Sequence, residues 1–335
     1  MSKKSPVWYL LACLIAYFAL WIGIPKARFL ALALESIEAA SRHAHQPMAI
    51  LLSVLGMIIV SIPTVTFLAA QIGVVYYFTK LRLGLKGGLI SLASCLAGLA
   101  LIVAIMCWRI NVVGQLHRLP NLREIGFIMG MYHPGILKLL MYTVILLIAA
   151  SIGYLVSLRI KDKNLLLPVV MFAASIDFWT VTVGPVSSVM KHAPEIVNAV
   201  SAPIPQAGTG AFVPATMMGM GDPLFMAVVF AAVHRLGMNS RRNFVFVFVA
   251  MTLAMLAVMM RFVPFVPALV ALAIAVVAAN WREFKLTRQE KISTAIVGVV
   301  LFAVVLGMGQ LAKPPDKPKK PNPAPISAPR LPNSR

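Results

Sequence analysis

Of the ten acidic residues in this 335-residue chain, two, Asp177 and Asp222, fall inside long apolar runs. The others, Glu35, Glu38, Glu124, Asp162, Glu195, Glu283, Glu290 and Asp316, occupy connections or the C-terminal tail. A carboxylate at the centre of a bilayer costs about 2.5–3.5 kcal/mol even on insertion scales, which marks an intramembrane acid as a candidate functional group. Asp177 is expected near the middle of the run 165–186, and Asp222 near the middle of 210–233. At about 1.5 Å of rise per residue, the two depths agree to within a few ångströms. Consecutive spans are antiparallel, and a short connection favours their packing side by side. Two carboxyls brought close together cannot both ionise, so such a pair shares a proton. The ionised member can then take a proton from water while the protonated member polarises a carbonyl. That is hydrolysis of the aspartic-protease kind.

The elements that must position these acids are membrane helices. Hydrophobic residues make up 60% of the chain and charged residues 12%. Soluble domains average about 45–50% and about 25%. Apolar runs at 6–24, 48–78, 88–107, 137–158, 165–186, 210–233, 244–260, 264–280 and 292–311 are each candidate spans. The expectation is an all-α polytopic membrane protein with about nine transmembrane helices, or ten if 48–78, which contains Pro63 and Gln71, divides in two. Residues 1–158 then form N-terminal helices, 159–280 a catalytic core, 281–311 an additional helix, and 312–335 a disordered Pro/Lys-rich tail. The net charge of +20 resides mainly in short loops and the tail. Loops holding Lys80, Arg82 and Lys86, Arg159, Lys161 and Lys163, Arg235, Arg241 and Arg242, and Arg282, Lys285, Arg288 and Lys291 fall on one side, expected to be cytoplasmic. Membrane topology accounts for that charge, and no nucleic-acid partner is expected. The implied location is a prokaryotic cell membrane, which the chain crosses several times.

The backbone around Asp222 is unusual for a span. Gly219-Met220-Gly221-Asp222-Pro223 surrounds the acid with two glycines and a proline. Glycine permits close backbone approach, whereas Pro223 removes a helix donor and disfavours the α region at Asp222. Irregular backbone at membrane depth is tolerated where protein or a water-filled cavity covers it, and an extended substrate segment could pair with it. Further on, Pro264-Phe265-Val266-Pro267-Ala268-Leu269 also interrupts helix between two apolar runs.

These residues resemble the GxGD intramembrane aspartyl proteases, the presenilin and signal peptide peptidase family. Gly219, Gly221 and Asp222 match the GxGD motif, and Pro267, Ala268 and Leu269 match the PAL motif. Asp177 stands where the family carries its other aspartate, and Asp177-Phe178-Trp179 resembles the stretch that follows it in signal peptide peptidases. The resemblance covers about 165–280 and suggests a divergent bacterial- or archaeal-type member. It implies a presenilin-like helix core with Asp177 and Asp222 as the catalytic pair. Gly219, Gly221, Pro267, Ala268 and Leu269 would shape the active site, and Phe178 and Trp179 would line the substrate path. The substrates implied are transmembrane helical peptides, cleaved within the lipid bilayer with neither metal nor organic cofactor. The chain departs from the family at Ile176, where a tyrosine is usual, and at Pro223, where an aliphatic residue is usual.

Two other readings stand beside this one. Buried acids next to helices interrupted by Gly and Pro also mark proton-coupled secondary transporters. A catalytically inactive presenilin-like protein is the third. Prepilin peptidases share a GxGD aspartate, but the upstream segments they use are not visible here. His43 and His45 form an isolated pair without a third ligand, and His117, His133, His192 and His234 read as interfacial or solvated. Cys13, Cys95 and Cys107 lie in apolar runs and read as packing residues, as do Met217, Met218, Met259 and Met260.

Overall fold

The computed structural model describes residues 5–43, 45–114, 135–182, 201–205, 217–219, 221–260, 262–263, 266–296 and 298–299. Within them the chain is helical apart from one two-stranded ladder. Helices α1 (Pro6–Lys26), α2 (Arg28–His43), α3 (Gln46–Thr79), α4 (Gly84–Gly114), α5 (Ile136–Ser157) and α6 (Leu166–Thr182) come first. Strands β1 (Ser201–Pro203) and β2 (Met217–Gly219) follow, then α7 (Gly221–Arg235), α8 (Ser240–Met259) and α9 (Ala268–Asn280). Residues 288–296 form one more helix, α10.

Among the described residues, five helices are long and apolar enough to cross a membrane: α1, α3, α4 to Arg109, α5 and α8. The expected count of nine spans is not confirmed by this measure. Helices α6 and α9 are apolar but shorter, α7 has 15 residues, and most of 292–311 lies outside the described residues. So do the tail from 312 onward, His117, His133, His192, Glu195, Pro264 and Phe265.

One alternative that the sequence left open, and two local differences from its expectation, have physical causes. Residues 48–78 form one helix, α3, of 34 residues. Pro63 deletes a single ladder bond, and packing against α1, α2, α7 and α8 holds the helix through it. Residues 25–47 are not an irregular loop, because α2 occupies most of them. Its Leu34 is buried against Val60 and Met259, while Glu38 and Arg42 pair at 2.6 Å. Finally, 210–233 is not one helix: α7 begins at Gly221, directly after β2. Pro223 and the flanking glycines stop any helix from running through this point.

The centre of the bundle is α7, in which every residue from Met226 to His234 is buried. It packs against α5 on one side and α3 on another. Helix α1 lies along α3, with Tyr9 stacked on Tyr77 at 5.2 Å and Tyr17 against Phe67 at 4.9 Å. Cys13 fits over Gly73, where a side chain would collide with its sulfur. One end of the bundle gathers basic residues. There Arg235 donates to the carbonyls of Ser157 and Ile160, Glu283 pairs with Lys163 and Arg242, and Lys80 lies 5.5 Å above the Tyr76 ring. Helix α10 begins with a capping box, in which Thr287 N–H donates to Glu290 and Glu290 N–H donates to Thr287 Oγ1.

Candidate active site

The two acids are held by different elements. Asp177 sits within α6, about eleven residues from Leu166 at the basic end, a rise of roughly 16 Å. Asp222 is the second residue of α7, about thirteen residues from Arg235 at the same end, or roughly 20 Å. Counted along their helices, the two acids are thus a similar number of residues from that end, and Asp222 lies at a helix start and not in mid-helix. Its first turn presents backbone N–H groups without intrahelical partners, so the acid lies among free donors.

Helices α6 and α7 touch but are not the closest partners. The main neighbour of α6 is α9, and that of α7 is α5. A late start for α7 lengthens the connection from α6 to about forty residues, so the short-connection argument for side-by-side packing does not apply. The acids nonetheless lie on helices that are in contact.

Asp177 is met by the PAL segment. The Leu269 N–H donates to Asp177 Oδ2 at 2.9 Å. Pro267 is the N-cap of α9, so Ala268 and Leu269 are its first two helical residues. The Leu269 amide is therefore one of the donors that a helix start leaves over, and Asp177 takes it. Leu269 is buried, while Pro267 and Ala268 are half-buried. Phe178 is 45% exposed and its neighbour Trp179 is partly buried, so the pair lies at the outer flank of α6 beside the acid. Of the departures from the family pattern, Ile176 is exposed on the same helix, and Pro223 is buried in the first turn of α7.

Asp222 is framed by the ladder and by α5. Strands β1 and β2 are antiparallel, with Ser201 opposite Gly219 and Pro203 opposite Met217. Gly219 ends β2, and its amide engages the Asp222 carboxylate. A Cβ at Gly219 would lie 4.0 Å from Asp222 Oδ2, and Gly221 has open space around it. Both glycines are exposed.

One positioning residue is not apparent in the sequence motifs. A Cβ at Gly153 in α5 would overlap the Leu224 carbonyl oxygen and press on Ala227. Helices α5 and α7 therefore cross in near-contact one turn beyond Asp222. A glycine in a membrane helix can signal such a crossing, but nothing in one sequence says against which partner.

Among the described residues no group of three or more His, Cys, Asp or Glu side chains is placed to hold a metal ion. His43 ends α2, and His234 hydrogen-bonds Ser240 at 2.8 Å while lying against Tyr76. Cys13, Cys95 and Cys107 are free thiols, each partly buried.

No family model, curated protein or solved structure matches the chain. The likeness to the GxGD proteases therefore rests on the motif residues alone.

Proposed function

We propose that the protein is an intramembrane aspartyl protease, with Asp177 and Asp222 activating water against a peptide bond of a transmembrane substrate. The observation that carries this reading is the hydrogen bond from the Leu269 N–H to Asp177 Oδ2. Two sequence features far apart in the chain, the apolar-run acid and the PAL segment, meet in this bond, and the helix that carries the GxGD acid touches the helix of Asp177. A transporter has no evident reason for an acid and a PAL segment to meet in this way.

In the proposed reaction one carboxylate accepts a proton from water, and the other, protonated, polarises the scissile carbonyl. The attacking oxygen adds to the carbonyl carbon, and the collapsing tetrahedral intermediate gives a carboxylic acid and an amine, the proton passing to the amine nitrogen. The Leu269 amide orients the Asp177 carboxylate and occupies an acceptor site on Oδ2, leaving Oδ1 for water. The exposed end of β2 provides main-chain groups with which an unwound substrate segment could pair. Phe178 and Trp179 flank the entry to Asp177. The chain would cross a prokaryotic cell membrane several times, with the basic end cytoplasmic and the presenilin-like core formed by α6, α7 and α9.

One feature favours the transporter reading. A helix that begins at Gly221, inside an apolar run and with an acid in its first turn, has the form of a transporter half-helix. Purified protein in detergent, mixed with a helical transmembrane peptide, separates the two. The protease reading predicts product pairs whose masses sum to substrate plus one water. Intact peptide, together with Asp222-dependent proton uptake in liposomes, would establish the transporter instead.

A further inference from the structure

Helix α9 is nearly featureless along its length. It packs on α6 and α8, and its buried residues before Asn280 are Leu269, Leu272 and Val276 among the small Ala271, Ala273, Ala275 and Ala279. Small side chains let helices approach closely, but one alanine replaces another when such a surface slides by a turn. Yet the proposed chemistry needs the Leu269 N–H at a fixed position beside Asp177. Something must set the axial register of α9.

At the opposite end of the helix Asn280 is fully buried and faces Asn243 of α8, also fully buried. Asn243 Nδ2 donates to Asn280 Oδ1 at 2.8 Å, and Asn280 Nδ2 donates to Asn243 Oδ1 at 2.7 Å. Each amide uses its other N–H on its own helix, Asn243 on the Asn239 carbonyl at 3.0 Å and Asn280 on the Val276 carbonyl at 2.8 Å. The four N–H donors are thus all used, in a setting where a lost partner is not replaced by water. Nearby ion pairs of Glu283 with Arg242 and Lys163 are more exposed, hence screened and adaptable in length. The amide pair is neither, since reciprocal amides match in one register. A single buried asparagine fixes helix register in coiled coils for the same reason.

We propose that Asn243 and Asn280 are positioning residues that lock the register of α9 and so hold the Leu269 amide on Asp177, an inference that rests on the protease reading above. From Asn280 to Leu269 is about eleven residues, or roughly 16 Å of continuous helix, so fixing one end fixes the other. The pair touches neither substrate nor the aspartates and acts through Leu269.

The test replaces both amides with a shape-matched apolar pair, Asn243→Leu with Asn280→Leu, in the full-length protein. A removed buried polar pair leaves no orphan, so the fold persists, whereas each single leucine leaves an unpaired amide and lowers the melting temperature. Register is read by pulsed dipolar spectroscopy between spin labels at Phe172→Cys on α6 and Ile274→Cys on α9, both exposed positions. Cys13, Cys95 and Cys107 are replaced by alanine in that background. The expected result for the double variant is a broadened or displaced distance distribution. A kcat lower by about 100-fold with little change in KM accompanies it, as suits a misplacement of an ångström or more. Asn243→Gln with Asn280→Leu should behave like the worse single variant, because chain length alone cannot restore reciprocity. A double-leucine variant that keeps the wild-type distance distribution, or keeps kcat while its distances broaden, overturns the proposal. If wild-type protein cleaves no peptide, the protease reading fails, and the distance measurement still decides whether the amides set the register.

Discussion

Asp177 and Asp222 draw on opposite kinds of support. Asp222 opens the most deeply buried of the described helices, whose Leu224 carbonyl is pressed against Gly153, and its carboxylate lies near Gly219. Asp177 sits on α6, whose Phe172, Ile176 and Phe178 are exposed, and a single amide from α9 engages it from across the interface. The first acid is set by the core, the second by a contact between two outer helices. The Asp222 side is rigid through packing, whereas the Asp177 side is adjustable only in the one hydrogen bond from α9, whose register the Asn243–Asn280 pair is proposed to hold. The difference also predicts how each side fails.

The largest effect should come from the acids themselves. Asp177→Asn and Asp222→Asn are each expected to reduce peptide cleavage by about 10³-fold or more, with the double variant no worse than either single one. Equal, non-additive losses in the same assay indicate one catalytic unit, whereas additive losses would indicate two separate roles.

Next comes Gly153→Ala, which strikes the rigid side. The added methyl must displace the first turn of α7, and overpacking of this kind costs about 1–3 kcal/mol. Cleavage should fall by about 100-fold as Asp222 moves. Gly98→Ala in α4 is the matched control, since nothing lies within 4 Å of its would-be Cβ, and it should leave both melting temperature and rate unaltered.

The adjustable side is tested by Leu269→Pro, which removes the amide donor at a helix position where no intrahelical bond needs it. Losing one preorganised donor should lower kcat by about 10²-fold, with melting temperature less affected than by Gly153→Ala. Leu269→Ala keeps the amide and should retain most of the rate. If Leu269→Ala proves the more damaging, the side chain and not the amide carries the contact.

The smallest effect lies at the α10 cap, away from both acids. The Thr287 N–H and hydroxyl and the Asn164 amide hold the Glu290 carboxyl below its usual range. A depressed folded-state value means the contribution is present at neutral pH and is lost as pH falls through that value. Glu290→Gln should therefore remove a slight acid-side dependence of the melting temperature without altering cleavage.

The sequence made parts of this site legible and others not. Asp177 and Asp222 stand out because carboxylates are costly in apolar runs, and Pro267 marks a helix start because proline caps one. The beginning of α7 at Gly221 was written in Gly219, Gly221 and Pro223, yet hydropathy averaged the break into one span. Helix α2 is hard to read from sequence because its mixed composition resembles a loop unless taken at helical period, with Leu34 inward and Arg42 outward. Gly153 and the Asn243–Asn280 pair were out of reach, since each depends on which helix lies opposite. Pairing between helices distant in sequence is set by the whole bundle and leaves little trace in local pattern.

The central claim, that Asp177 and Asp222 form one site, is tested most directly by titrating detergent-purified protein with a hydroxyl-bearing transition-state analogue of peptide hydrolysis. The account predicts one analogue bound per chain, with binding lost to a similar extent in Asp177→Asn and in Asp222→Asn. Undiminished binding in either variant would contradict it.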